Sequence, residues 1–531
     1  MELLLCFLLA IACPWINRFQ PRLIGWLLAI LPFGLFLRFL SLIPTINHHP
    51  IVQTIDWLPQ LGVQLSFYLD GLSNLFAITI CGIGTLVVIY SGAYLKDHPQ
   101  LGRFYAYLFF FMGAMLGIVL ADNLIALFVF WELTTISSFL LISFDHEKKA
   151  ARQAALQGLL VTGAGGLIML IGFIALGFVG HSFNISALSH AGELHQHRAY
   201  TLIVLLILLG AFTKSAQFPF HFWLPNAMQA PTPISAYLHS ATMVQAGVYL
   251  VARLTPVLGH TPLWYGLLTV FGGVTMLVGS VLAIRATDLK QLLAYSTVAS
   301  LGLLFFLLAS GQPAYINAAM LFFFAHALYK AGLFLSAGNI DHATGTRDIR
   351  KMGGLLRPLP LTFIAVLLCA ASMAGLPPML GFVSKEIIYE AKLTHWHFLE
   401  WILLMIAIIT NITFAVLSAI VVFKPFFGKP AEYKHQPHEM GISSCLPVLC
   451  LAGFSLLFGI MPYAIDSRII FPAVNSISNI TPETRLALWH GITPSFVISA
   501  ASLLVAAVIY LNYRRVFNYF HRFTFIDAIG P

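Results

Sequence analysis

The sequence predicts an all-α polytopic membrane protein with about fifteen transmembrane helices. Three observations predict it. Of 531 residues, 59% are apolar and only 9% are charged, where a soluble domain carries about 25% charged residues. So little charge would leave apolar area exposed everywhere unless lipid covered it. Apolar stretches of spanning length recur from end to end, and basic residues collect in alternate loops. Together these exclude a soluble enzyme, a fibre and a disordered chain.

The predicted spans fall at 1–16, 21–43, 66–92, 103–120, 121–142, 155–178, 200–220, 236–256, 262–285, 291–309, 315–338, 360–379, 399–424, 443–465 and 491–512. The first is read as a span and not a cleavable leader, because it lacks a basic start and a small-residue cleavage site. The stretch 103–142 is almost continuous and divides at Asp122-Asn123. Arg18 and Arg22, Lys96 and Arg103, and Lys148, Lys149 and Arg152 all fall on one side of this topology. So do Arg285 and Lys290, the group Arg347, Arg350, Lys351 and Arg357, then Lys424, Lys429 and Lys434, and finally Arg514, Arg515 and Arg522. The opposite loops 44–65 and 466–490 are poor in basic residues. The positive-inside rule then puts the N-terminus outside and the C-terminus in the cytoplasm.

The net charge of +8 is spread over these loops. With no compact basic domain, nucleic acid is not an expected partner; membrane lipid is. No polar stretch is long enough to bury its own core, and no strand is expected. The six cysteines form no CxxC pair, and no phosphate-binding loop or redox-cofactor motif is present. No cofactor is therefore expected. A metal is left open, because His181–Ala199 carries four histidines that read more simply as solvated loop residues.

Two spans carry helix-breaking residues. Pro219, Pro225, Pro231 and Pro233 predict a broken helix near 215–235, since proline removes a donor and clashes with the preceding turn. Gly375, Pro377, Pro378 and Gly381 predict a second. Irregular backbone at membrane depth is tolerated only inside protein or beside water. Paired breaks far apart in sequence are a feature of transporters.

A few charges lie inside apolar runs. Glu132 sits about ten residues inside the fifth span, and Lys214 precedes the Pro219 break. Lys330 stands within the eleventh span and Lys385 follows the second break. Each would cost about 2.5–3.5 kcal/mol or more facing lipid, so each is expected to have a use or a partner. A lysine in a partly dry site can release its proton, and a carboxylate beside it opposes that release. Glu132 and Lys214, if adjacent, would form such a coupled pair. His326 lies four residues before Lys330 on one helix face. His239, with Ser240 and Thr242 nearby, could order water and pass a proton between its ring nitrogens, or simply pack. Asp70 and Asp122 are expected to cap helices, and Arg253 to snorkel from the end of its span. Gly163, Gly165 and Gly166 form a small-residue patch for close helix packing.

Several segments carry a resemblance. Phe130-Trp-Glu-Leu-Thr, Lys214-Ser-Ala-Gln-Phe-Pro, His221-Phe-Trp-Leu-Pro-Asn-Ala-Met and His239-Ser-Ala-Thr-Met resemble the antiporter-like proton-pumping subunits. So do Asp341-His-Ala-Thr-Gly-Thr-Arg-Asp-Ile, Ser372-Met-Ala-Gly-Leu-Pro-Pro and Gly381-Phe-Val-Ser-Lys-Glu. Such subunits occur in respiratory complex I and in Mrp-type multisubunit cation/proton antiporters. The wording is most similar to the A subunit of the latter and covers about residues 60–430.

The resemblance implies a core with two inverted five-helix repeats and broken seventh and twelfth helices. The chain then divides into an N-terminal hairpin at 1–60, a proton-translocation core at 61–430 and C-terminal helices at 431–531. Glu132 and Lys214 match the acid–lysine pair, Lys330 the central lysine with His326 and His239 on a hydrated axis, and Lys385 the terminal lysine. The implied activity is exchange of a monovalent cation, Na⁺ foremost, for protons across a bacterial inner membrane, with other membrane subunits as partners. Alternatives are a redox-driven pump related to complex I or to hydrogenases, and a membrane partner of a soluble module in inorganic-carbon uptake. One departure is Gln245, where A subunits usually carry lysine; glutamine cannot bind and release a proton at neutral pH. The chain is also shorter than A subunits usually are, so either the further module is a separate polypeptide or this is a shorter branch of the family, and no long lateral helix is expected.

Overall fold

In lipid every backbone polar group must be satisfied within its own segment, so the apolar runs close into helices. The computed structural model describes residues 2–19, 23–58, 63–189, 194–393, 398–433, 435–480, 486–489 and 491–521. Arg22, Lys434 and Arg522 lie outside the described residues.

The principal helices begin with α1 (Glu2–Phe19), α2 (Ile24–Ser41), α3 (Gly71–Tyr94), α4 (Leu101–Leu120), α5 (Leu124–Ile142) and α6 (Lys149–Val179). After α7 (Tyr200–Lys214) come α8 (Thr232–Ser240), α9 (Ala246–Leu258), α10 (Pro262–Arg285), α11 (Leu289–Leu308) and α12 (Pro313–Thr344). The last are α13 (Pro360–Ala374), α14 (Leu380–Leu393), α15 (Phe398–Phe427), α16 (Ile442–Ile460) and α17 (Pro494–Leu511). Among the described residues, twelve helical segments are long and apolar enough to cross a membrane, with Thr232–Leu258 counted as one. Tyr200–Lys214 and Pro360–Ala374 are shorter apolar helices. The protein is a multi-pass, overwhelmingly helical membrane protein.

Local chemistry sets the helix ends. The division at Asp122-Asn123 is made by Asn123, whose Oδ1 accepts from the amides of Ile125 at 3.0 Å and Ala126 at 3.4 Å. Asp122 does not cap α5. Its carboxylate instead accepts from the amide and hydroxyl of Ser186, at 2.9 and 2.7 Å, on the short helix Ile185–Leu188. Asp70 does cap α3, accepting from the Ser73 amide at 2.9 Å.

The expectation of no strand fails between α2 and α3. There β1 (Ile51–Leu58) and β2 (Val63–Leu69) pair antiparallel, Ile51 opposite Leu69 and Thr54 opposite Ser66. This segment lies mostly between the apolar runs, and β2 takes residues 66–69 from the start of the predicted span 66–92. Its short alternation of β-branched or aromatic residues with polar ones suits a half-covered hairpin better than a helix.

Both expected breaks form. From Lys214 to Thr232 the chain runs as turns and helical pieces of three or four residues. Between α13 and α14, Gly375 takes φ +68° and ends α13 with a left-handed turn. Helix α16 reaches this break closely: a Cβ on Gly459 would collide with the Pro378 carbonyl. A third break, between α8 and α9, has no proline to announce it. The Thr242 hydroxyl takes the Tyr237 carbonyl at 2.6 Å, leaving the Ala241 amide 3.5 Å from the same oxygen. A side chain thus competes with the helix for its own acceptor.

Helix α12 is the axis of the bundle. It packs against α8, α11, α13, α14 and α16, and the most apolar part of its length is wholly enclosed. Any polar group on α12 must therefore find its partners inside the protein.

Candidate functional site

Lys214 is the last residue of α7, where the unsatisfied helix carbonyls favour a cation. It is fully buried. Its Nζ donates to the Trp131 carbonyl at 3.0 Å and to Thr135 Oγ1 at 2.8 Å, and lies 5.1 Å from the Trp131 ring centroid. Trp131 and Thr135 flank Glu132 on α5, so the ammonium is bound to the segment that carries the carboxylate. It forms no ion pair with Glu132 among the described residues.

Glu132 turns instead toward α6. A Cβ on Gly166 would overlap its Oε1, and one on Gly163 would lie 4.0 Å from its Oε2. The glycine patch thus makes room for the carboxylate as well as for helix packing. Oε1 has no hydrogen-bond partner, and the residue as a whole is half-buried.

The broken segment after Lys214 is tied to its neighbours. Ser215 Oγ donates to the Val244 carbonyl at 2.6 Å, Phe218 N donates to Thr275 Oγ1 at 2.9 Å, and Trp223 Nε1 donates to the Thr213 carbonyl at 3.0 Å. The first bond brings Lys214 beside the break between α8 and α9. There Gln245 Nε2 lies 3.5 Å from the Ser240 carbonyl and 3.4 Å from His326 Nδ1 on α12. His239, at the end of α8, is fully buried with its ring 5.0 Å from that of Phe334. Neither of its ring nitrogens has a protein partner, and nor does His326 Nε2. Buried nitrogens of this kind are normally satisfied by ordered water.

One turn beyond His326, Lys330 is also fully buried. Its Nζ donates to Ser296 Oγ of α11 at 2.7 Å and lies 3.7 Å from Met373 Sδ of α13. Met373 precedes the second break by two residues. In that break the Gly375 carbonyl accepts from Lys385 Nζ at 2.8 Å, and Lys385 is 5% exposed. Ser372 Oγ accepts from the Gly381 amide at 3.2 Å and from Ser455 Oγ of α16 at 2.8 Å, which holds the break in shape.

These bonds place four of the six predicted residues, Lys214, His326, Lys330 and Lys385, along one buried seam through the three breaks. His239 borders it. Glu132 stands at its end against α6. Glu132 and Lys214 come near each other without direct contact, since Thr135 and the Trp131 carbonyl accept from the ammonium. Every lysine of the seam donates to a neutral oxygen, and among the described residues none forms a direct ion pair. Among the described residues no group of His, Cys, Asp and Glu is arranged to hold a metal.

Two further charged sites carry no motif. Arg253 does not snorkel. Its side chain is 9% exposed, donating from Nη1 and Nη2 to the two Asp70 oxygens at 2.6 and 2.7 Å, from Nη2 also to Ser73 Oγ at 2.7 Å, and from Nε to the Tyr249 hydroxyl at 3.1 Å. The pair closes the floor of a cavity of about 770 Å³ lined also by Tyr68, Asp122 and Ser186. Lys290, read as a loop cation, is 2% exposed and donates to the Ala230 carbonyl at 2.8 Å, just before Pro231. The only sequence signal for either was one unmatched charge at the edge of an apolar run.

A family model described as NADH:quinone oxidoreductase/Mrp antiporter, TM matches residues 121–413, more than half of the chain. A second, described as NADH-ubiquinone oxidoreductase (complex I), chain 5 N-terminus, matches residues 57–105. The chain is 41% identical over 536 residues to a Na(+)/H(+) antiporter subunit A1 of Staphylococcus haemolyticus, covering 96% of this chain and 67% of the relative. It is 40% identical to the Staphylococcus aureus protein of the same name, with the same coverage. Among solved structures, a chain of the Mrp complex from Dietzia sp. DQ12-45-1b superposes with a TM-score of 0.89 at 36% identity, covering 99% of this chain and 58% of that one. The chain thus spans about two thirds of these curated relatives and less of the Dietzia chain. Matched in sequence over most of its length and in fold over nearly all of it, the chain belongs to the NADH:quinone oxidoreductase/Mrp antiporter transmembrane family.

Proposed function

We propose that the protein is a subunit of a multisubunit Na⁺/H⁺ antiporter and carries its proton along the middle of the membrane. The observation that carries this reading is the seam itself. Lys214, His326, Lys330 and Lys385 are enclosed by protein, connected through three interrupted helices, and bound to neutral acceptors. Buried cations without counter-ions are costly and are retained where their charge moves.

In this reading Lys214 has two available settings. Bound to Thr135 it keeps its proton; drawn toward Glu132 it is stabilised as a cation, and withdrawn again it can release the proton to water near His239 and His326. One pKa unit of such a change corresponds to about 1.4 kcal/mol. Lys330 and Lys385 continue the path, with Ser296 and the Gly375 carbonyl as partners to leave and return to. The two inverted repeats and the division at 1–60, 61–430 and 431–531 belong to this proposal. So do a bacterial inner membrane, an external N-terminus and a cytoplasmic C-terminus. Partner membrane subunits complete the exchange, since the relatives are named as antiporter subunits and the Dietzia chain belongs to an Mrp complex.

The test uses everted vesicles containing the complete complex and a pH-sensitive dye. Adding Na⁺ to vesicles with a preformed proton gradient collapses it; Lys214→Ala and Glu132→Ala abolish the collapse. Undiminished exchange in both variants overturns the relay. A redox-driven pump shares the family model's description, and subunit masses of the purified native complex separate it from an antiporter.

A further inference from the structure

Helix α14 carries a second enclosed lysine that no motif marks. Lys392 is 4% exposed although it stands in the last turn of its helix, where lysine ordinarily extends to water. Its Nζ lies 4.1 Å from the ring centroid of Phe306 and 4.5 Å from that of Tyr315. Phe306 is near the end of α11 and Tyr315 is in the first turn of α12, so three helix ends converge on one ammonium.

Lys385 and Lys392 are seven residues apart. That spacing returns the helix to within about 20° of the same face and advances it by about 10 Å. Tyr389 stands between them on α14, four residues after the first and three before the second. It is fully buried, and its hydroxyl accepts from Asn411 Nδ2 at 3.0 Å. The ring faces and the helix C-terminus favour a cation at Lys392, while loss of water disfavours one. Opposed influences of this kind allow an amine to be held charged or neutral.

Building on the relay reading above, we propose that Lys392 is a further proton-carrying station, passing protons between Lys385 and the membrane face at the end of α14. In the step, the Lys385 ammonium gives up one proton, the Tyr389 hydroxyl or a water carries it, and the neutral Lys392 amine takes it. One positive charge advances along the helix and no electrons are exchanged.

The rival role is a cation–π anchor that only fastens three helix ends. Lys392→Arg and Lys392→Met distinguish the two in the complete complex, assayed in everted vesicles with Lys214→Ala alongside. Arginine keeps the charge and the ring contact but does not release its proton; methionine keeps the stem. For a station, both variants assemble and lose about a hundredfold in Na⁺-driven proton exchange. Wild-type exchange in either variant overturns the proposal, and failure of both to assemble assigns Lys392 to the anchor and overturns it too. If Lys214→Ala also exchanges normally, the relay reading itself has failed; if Lys214→Ala is inactive while Lys392→Arg is not, only the station has.

Discussion

The ammonium of Lys214 is held by the carbonyl of Trp131, 3.0 Å away, and not by the carboxylate of the next residue. The acid and the base of the pair are thereby offset by one helix position. Thr135, the second acceptor at 2.8 Å, decides how firmly Lys214 stays in this setting.

Thr135→Val keeps the shape and removes the hydroxyl. A hydrogen bond to a charged group contributes about 1.5–3 kcal/mol, so Lys214 is expected to shift toward Glu132 and exchange to fall about tenfold or more. Vesicle exchange rates compared with Thr135→Ser, which restores the hydroxyl and is expected to restore the rate, check this.

Gly166 and Gly163 are expected to differ. A methyl at Gly166 meets Glu132 Oε1 head-on, whereas at Gly163 the nearest atom is Thr135 Cγ2 at 3.8 Å. Gly166→Ala should therefore cost about 1–3 kcal/mol through overpacking and impair exchange, while Gly163→Ala should leave both unchanged. Melting of the purified complex and vesicle exchange, measured on the same preparations, give the comparison.

Breaking the Asp70–Arg253 pair from one side leaves a buried charge alone. Arg253→Met or Asp70→Asn is expected to destabilise the protein by about 3–5 kcal/mol, with the double variant recovering much of the loss. Thermal stability of the four proteins in a double-mutant cycle reads the coupling directly. Additive losses would mean that the two side chains do not act together.

Gln245 is the neutral link between the break after α8 and His326. Gln245→Leu leaves the Ser240 carbonyl and His326 Nδ1 without this partner, a cost of about 1–3 kcal/mol, and is expected to slow exchange. Gln245→Lys supplies a donor at the same place and is expected to retain it. Equal rates in the two variants would remove Gln245 from the seam.

Few charges in long apolar runs force backbone closure into helices, so the membrane architecture follows from composition alone. Pro219, Pro231 and Pro377-Pro378 locate two breaks because proline cannot continue a helix interior. Glu132, Lys214, Lys330 and Lys385 are conspicuous because a charge in an apolar run is expensive wherever the chain folds. The break at Thr242 was not legible, since a threonine hydroxyl competes for a helix carbonyl only when its own rotamer and neighbours allow it. The hairpin 51–69 was hidden by its short alternation beside spans of much longer period.

Partnership is the part that tertiary structure alone decided. Asp70 and Arg253 are 183 residues apart, and no local pattern relates them. Lys214 donates to Thr135 and not to Glu132, and Lys392 lies against two aromatic rings, through distances fixed only when separate helices pack. One chain specifies which groups need a partner, because the cost of an unsatisfied charge is a property of the residue and its surroundings of lipid. Which partner is found depends on helix rotation and depth, and those are set by side-chain packing summed over the whole bundle.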